Sequence, residues 1–221
     1  MSEYTFPFNT CEKPNKDGIA QPYSAFFNLI NSLIIFYFLL KTKNNHTFLL
    51  LFSILCFELF HLFSHILHIP GVIQLNTTHS LAYFINVSFL YALYSYTNKI
   101  PGYACVFYLA ALVCFDIYSF FHLSFIYYFI SQSAILVSLL LYYFPLLPHF
   151  IQNSVYPIIF LVGFITLLFL NEKVNCEKMI DIYPHFPYHI FIELNGILLF
   201  YIISSHFYKL WGSIPLKYSL V

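Results

Sequence analysis

Residues 57–68 read Phe-Glu-Leu-Phe-His-Leu-Phe-Ser-His-Ile-Leu-His and set one carboxylate, one hydroxyl and three imidazoles inside an apolar run. Each residue of a helix advances about 100°, so Glu58, His61, Ser64, His65 and His68 share roughly a third of the circumference. An ionisable side chain in hydrocarbon costs roughly 2.5–3.5 kcal/mol on insertion scales. Such a stripe is tolerable only where it faces a polar cavity, a metal ion or a partner helix. A second group lies in the last apolar run, where His189 and Glu193 stand i, i+4 and so share one helix face. That imidazole and carboxylate, joined by an imidazole of the first stripe, make a three-ligand zinc site. The fourth position is left to water, whose pKa zinc lowers towards neutrality. His79 or Glu58 is placed to take the proton of that water, and Ser64 to donate to a developing oxyanion.

The elements that must bring these groups together are membrane helices. Of 221 residues, 60% are hydrophobic and 8% charged, and the mean hydropathy is +0.76. This is the composition of a membrane protein rather than a soluble domain. A crossing takes about 20 apolar residues, and seven such runs are present, at about 24–41, 47–69, 79–97, 102–119, 124–144, 149–170 and 187–209. Lys41-Thr42-Lys43-Asn44-Asn45, Ile69-Pro70-Gly71, Asn98-Lys99-Ile100-Pro101-Gly102 and residues 145–148 separate them. The expected fold is all-α: one seven-transmembrane helix bundle, with a polar segment at 1–23 and a tail at 210–221. Residues 1–23 have no signal-peptide pattern. The formal net charge is zero and no basic patch exists, which argues against nucleic acid as a partner.

An odd number of crossings puts the termini on opposite sides. Lys41, Lys43, Lys99, Lys209 and Lys217 fall on the C-terminal side, close to helix ends, so that side is expected to be cytosolic and the N-terminus lumenal. Cys11 and Cys176 then share the lumenal side in polar segments, where a disulfide can form. The same alternation places His65, His68, His189 and Glu193 in one layer near that side, with Glu58 and His61 deeper. His46, His149 and His206 belong to the opposite end.

These residues resemble the alkaline ceramidases, a family of seven-helix membrane hydrolases within the superfamily that includes the adiponectin/progestin receptors. Cys11-Glu12-Lys13-Pro14-Asn15, followed by Asn28-Leu29-Ile30-Asn31-Ser32, is similar to the family's N-terminal Cys-Glu-x-Asn segment and Asn-x-x-Ser-Asn first helix. Ser64-x-x-x-His68 resembles its helix-two Ser-x-x-x-His, and His79 stands where the family has an aspartate. His189-x-x-x-Glu193 resembles its helix-seven His-x-x-x-His, with glutamate in the second place. His185-x-x-x-His189 is an alternative pair, and His61 or His65 an alternative to His68. The resemblance implies a zinc-dependent amidase that takes a lipid, ceramide in the family, from an endomembrane such as the ER or Golgi. It also implies a disulfide between Cys11 and Cys176. Of the family's calcium site only Glu12 and Asn15 remain, and Phe26 stands where an acidic residue is expected. Two other readings fit the pattern. One is a non-catalytic seven-helix receptor or lipid-binding protein. The other is a di-iron oxidase or desaturase, because His61-x-x-x-His65-x-x-His68 is similar to a histidine box.

Overall fold

A computed structural model describes residues 10–12, 15, 17–67, 69, 71–99, 102–121, 125–183 and 185–212. It contains seven α-helices and a short 3-10 turn, Phe144–Leu146, and no strand among the described residues. The helices are α1 (Pro22–Lys41), α2 (Asn45–Ile66), α3 (Gly71–Thr97), α4 (Tyr103–Phe121), α5 (Phe125–Tyr143), α6 (His149–Ile182) and α7 (His189–Gly212). Four of them, α1, α2, α6 and α7, are long and apolar enough to cross a membrane.

Two helices run further than hydropathy indicates. The stretch 71–78, expected as a loop, forms the first two turns of α3, with Gln74, Leu75 and Thr78 buried. α6 continues past residue 170 to Ile182 through a local departure from helical geometry at Asn175 (φ −119°, ψ 18°). The reason is the same in both places. Polarity marks where an apolar medium ends, but a helix ends only where a cap or breaker stops it. α2, likewise, starts at Asn45 because the Asn44 side chain accepts from the amides of His46 and Thr47.

Helix pairings close a ring. α1 packs on α2 and α7, α2 on α3, α3 on α5, α5 on α6, and α6 on α7, while α4 lies outside against α5 and α3. Contacts at the two ends show that the helices alternate in direction. At one end His46 meets Ser95, the Tyr142 hydroxyl accepts from the Gly102 amide, and His206 stacks on Phe150. That end also holds much of the apolar core, including Leu50, Leu93, Leu139, Tyr143 and Phe207. At the other end the Ala20 and Gln21 amides donate to the Ile66 and His65 carbonyls (3.2 and 2.8 Å). These are carbonyls that the end of α2 leaves unpaired, so the preceding chain is fastened there. Gly18, with φ +85°, supplies the left-handed residue of the turn closed by the Asn15 amide on the Ala20 carbonyl (2.8 Å).

Helices α1 and α2 turn their polar side chains inward and large apolar ones outward. On α1, Ser24, Asn28, Asn31 and Ser32 are buried, whereas Phe26, Leu29, Leu33, Phe36 and Leu40 are exposed. On α2, Glu58, Ser64 and His65 are buried and Phe48, Phe52, Leu59 and Phe63 are exposed. A cavity of about 270 Å³ occupies the centre and takes lining residues from every helix of the ring.

Candidate metal centre

Near the end of α2 and the start of α7, four side chains aim at one point. The ligand atoms of His61, His65, His189 and Glu193 all lie within 4.8 Å of one another. Glu193 Oε1 stands 3.0 Å from His189 Nε2, 3.5 Å from His65 Nε2 and 3.8 Å from His61 Nε2, and the last two nitrogens are 3.1 Å apart. A tetrahedral zinc with bonds of 2.0–2.1 Å spaces its ligand atoms about 3.3 Å apart, so the spread suits a single small cation. His65, His189 and Glu193 are buried, at 1%, 6% and 7% side-chain exposure, while His61 retains 29%.

The far side of each buried ring fixes its tautomer. The Gln21 amide nitrogen donates to the Glu12 carbonyl (2.6 Å), which turns its oxygen towards His65. His65 Nδ1 must therefore carry the hydrogen and donate to Gln21 Oε1 (2.8 Å). Around His189 the Glu172 carboxylate accepts from Nδ1 at 2.9 Å and from the Cys11 backbone amide at 2.7 Å. With Nδ1 committed on each ring, both Nε2 atoms are left to face the Glu193 carboxylate. A proton or a metal ion between His189 Nε2 and Glu193 Oε1 removes the repulsion of two acceptors at 3.0 Å, and the four converging atoms are of the types that could hold a metal ion. A ligating histidine whose other nitrogen is held by a carboxylate or carbonyl is the usual arrangement around a protein-bound metal.

The strap from Thr10 to Gln21 assembles this support. Cys11 is disulfide-bonded to Cys176, which follows Glu172 by one turn of α6. Asn171, beside Glu172, donates to the Tyr188 hydroxyl (3.0 Å) and so ties α6 to the start of α7. Glu12 holds its carboxylate against the start of α1. Its two oxygens accept from the Tyr23 and Ser24 amides (2.9 Å each) and from the Ser24 hydroxyl, capping α1 behind Pro22. Of the two residues that resemble the calcium site of the ceramidases, Glu12 thus starts a helix, while Asn15 closes the preceding turn on the Ile19 and Ala20 carbonyls.

Among the residues expected to act, His65, His189 and Glu193 meet, with His61 as the second imidazole of α2. His68 lies outside the described residues. His185 is exposed and precedes α7, so it does not form an i, i+4 pair with His189 on that helix. Ser64 is buried and its hydroxyl donates to the Phe60 carbonyl (2.7 Å). His79 is buried with Nδ1 donating to the Leu75 carbonyl (3.0 Å). Neither is among the side chains that line the cavity, whereas Glu58 is. Gln21 and Glu172 were not singled out by spacing. The only sequence signs of them were an amide beside Pro22 and a carboxylate four residues before a cysteine.

No protein-family model, curated protein or solved structure matches this chain. The likeness to the alkaline ceramidases therefore rests on the motifs quoted above.

Proposed function

We propose that the chain is an integral membrane hydrolase of alkaline ceramidase type, cleaving an acyl amide of a lipid with the help of zinc held by His65, His189 and Glu193. The observation that carries this reading is the convergence of the His65 and His189 Nε2 atoms and the Glu193 carboxylate at one end of an apolar cavity. Two nitrogens and one oxygen, with the fourth position left open, form a donor set of the kind catalytic zinc takes. Bound there, zinc would supply Lewis-acid polarisation of a carbonyl and a water acidified towards neutrality.

The protein's own groups account for the rest. Burial of His65, His189 and Glu193 keeps bulk water from the reacting carbonyl, and Gln21 and Glu172 hold the two rings in register. His61, the one partly exposed member, stands where it can accept a proton and pass it on. The cavity wall beyond the cluster is Leu50, Ile54, Ile165, Leu199, Phe200 and their neighbours. From His65 to Leu50 it spans about 22 Å of helix rise, more than the about 15 Å of one leaflet's hydrocarbon, so a whole acyl chain is accommodated. The outward Phe and Leu stripes of α1 and α2 are the surface a bilayer solvates. A Cys11–Cys176 bond suits an oxidising compartment, which supports a reading with this end of the ring and the N-terminus on the lumenal side of an endomembrane.

A second reading has its own observation. With His61 as fourth ligand the site is closed, as structural zinc sites are, and the protein becomes a receptor or lipid binder. Metal analysis of the purified protein, together with hydrolysis of a labelled ceramide, tests both. The hydrolase reading expects one zinc per chain and turnover abolished in Glu193→Ala. It also expects His61→Ala to keep its zinc while losing activity. Zinc lost from His61→Ala, with no turnover by the parent, establishes the closed site instead.

A further inference from the structure

Deeper in the cavity lies a second polar feature that the cluster does not use. Glu58 and Asn31 are each 2% exposed, both line the cavity, and the Asn31 amide nitrogen donates to Glu58 Oε2 at 2.7 Å. Asn31 Oδ1 is buried without a hydrogen-bond partner. No lysine or histidine forms an ion pair with Glu58 among the described residues. A carboxyl buried in this way is neutralised either by its own proton or by a cation. On α2 it lies one turn below His61 and two turns below His65, about 4.5 and about 10 Å of rise. Around it the wall is apolar, with Ile54, Phe57 and Ile85.

We infer that Glu58 and Asn31 form a binding subsite for the amino group of a long-chain primary amine. The chemistry selects this class over its rivals. A primary ammonium brings three N–H donors, which match the Asn31 oxygen and the lone pairs left on the Glu58 carboxylate, whereas a hydroxyl brings one. A divalent cation such as calcium needs six or more oxygen ligands, and two residues cannot supply them. The amine's chain lies along the apolar wall. The charge balances whichever partner carries the proton at the start: a carboxyl and a free amine become a carboxylate and an ammonium. The inference shares the cavity with the proposed hydrolase, in which cleavage of an acyl amide at the cluster releases an amine above this subsite, but the subsite itself needs no metal.

Native mass spectrometry of the detergent-solubilised protein with tetradecylamine, tetradecanol and tetradecyltrimethylammonium provides the test. The parent is expected to retain one tetradecylamine at least about tenfold more tightly than either competitor, the factor one charge-assisted hydrogen bond supplies. In Glu58→Gln, which keeps the contact to Asn31, that preference disappears while tetradecanol binding persists. Equal retention of the three compounds by the parent, or an undiminished preference in Glu58→Gln, overturns the inference. Should Glu58→Gln fail to fold, the comparison with the trimethylated compound, which has no N–H to donate, decides on the parent alone. Zinc content measured on the same samples separates the two readings. Zinc without amine preference refutes the subsite and leaves the metal centre standing, and amine preference without zinc does the reverse.

Discussion

Glu172 and Gln21 touch the far nitrogens of two imidazoles, and this sets what the near nitrogens can do. Replacing Glu172 by glutamine keeps the size of the side chain but removes the charge and leaves one acceptor oxygen for two donors, His189 Nδ1 and the Cys11 amide. Partners of this kind typically contribute 10–100-fold to metal affinity. Glu172→Gln is therefore expected to weaken zinc binding by about that factor in a chelator competition, with the fold retained. Gln21→Leu, which removes the acceptor for His65 Nδ1, is expected to fall in the same range. A zinc affinity unchanged in both variants would mean that the tautomers are not held from behind. At this scale the sequence disclosed the residue types that cluster. The i, i+4 pair His189 and Glu193 and the stripe on α2 follow from helical spacing, whereas the choice of His61 beside His65 depends on how α2 is rotated against α7.

Among the elements, α1 shows how a remote residue can start a helix. Gln21 occupies the N-cap position but makes no cap with its side chain, because that amide is committed to the Glu12 carbonyl and His65. Glu12 caps from ten residues upstream in the turn that Gly18 permits. Glu12→Ala is expected to cost about 1 kcal/mol, in the range measured for lost helix caps, seen as a lower thermal midpoint. Because the same segment carries Gln21, zinc affinity should fall with it; a lower midpoint with intact zinc affinity would confine Glu12 to the cap. The disulfide anchors the other end of this strap. Cys11→Ser frees it from α6, so the His189 support is expected to weaken, and zinc should be stripped by chelator faster than from the parent. A reductant added to the parent is expected to reproduce that rate.

For the molecule as a whole, the ring of α1, α2, α3, α5, α6 and α7 matters because it leaves a central space. Gly196 lines that space one turn below Glu193, and a Cβ built there meets nothing within 4 Å. Gly196→Leu is therefore expected to fold and to hold zinc. Turnover of a long-chain amide should drop by more than that of a short-chain analogue, since the added side chain shortens the route for the tail. Equal losses on both substrates would place the tail elsewhere. Binding a ligand only to the folded state also stabilises it: at a free zinc concentration one hundred times the dissociation constant the gain is about 2.7 kcal/mol. The thermal midpoint is accordingly expected to rise with zinc and to fall with chelator, and to do neither in Glu193→Ala.

Composition and periodicity by themselves determined that the chain is helical, roughly where its helices lie, and that one end of the bundle is rich in imidazole and carboxylate. These are local properties, written in spacing along a single helix. Only the tertiary structure decided that α4 stands outside the ring, that α3 and α6 outrun their apolar stretches, and that Gln21 and Glu172 reach the histidines from behind. It also decided that Glu58 pairs with Asn31 across two helices. Each of these depends on how helices rotate and pack against one another, and side-chain spacing along one helix carries no record of that.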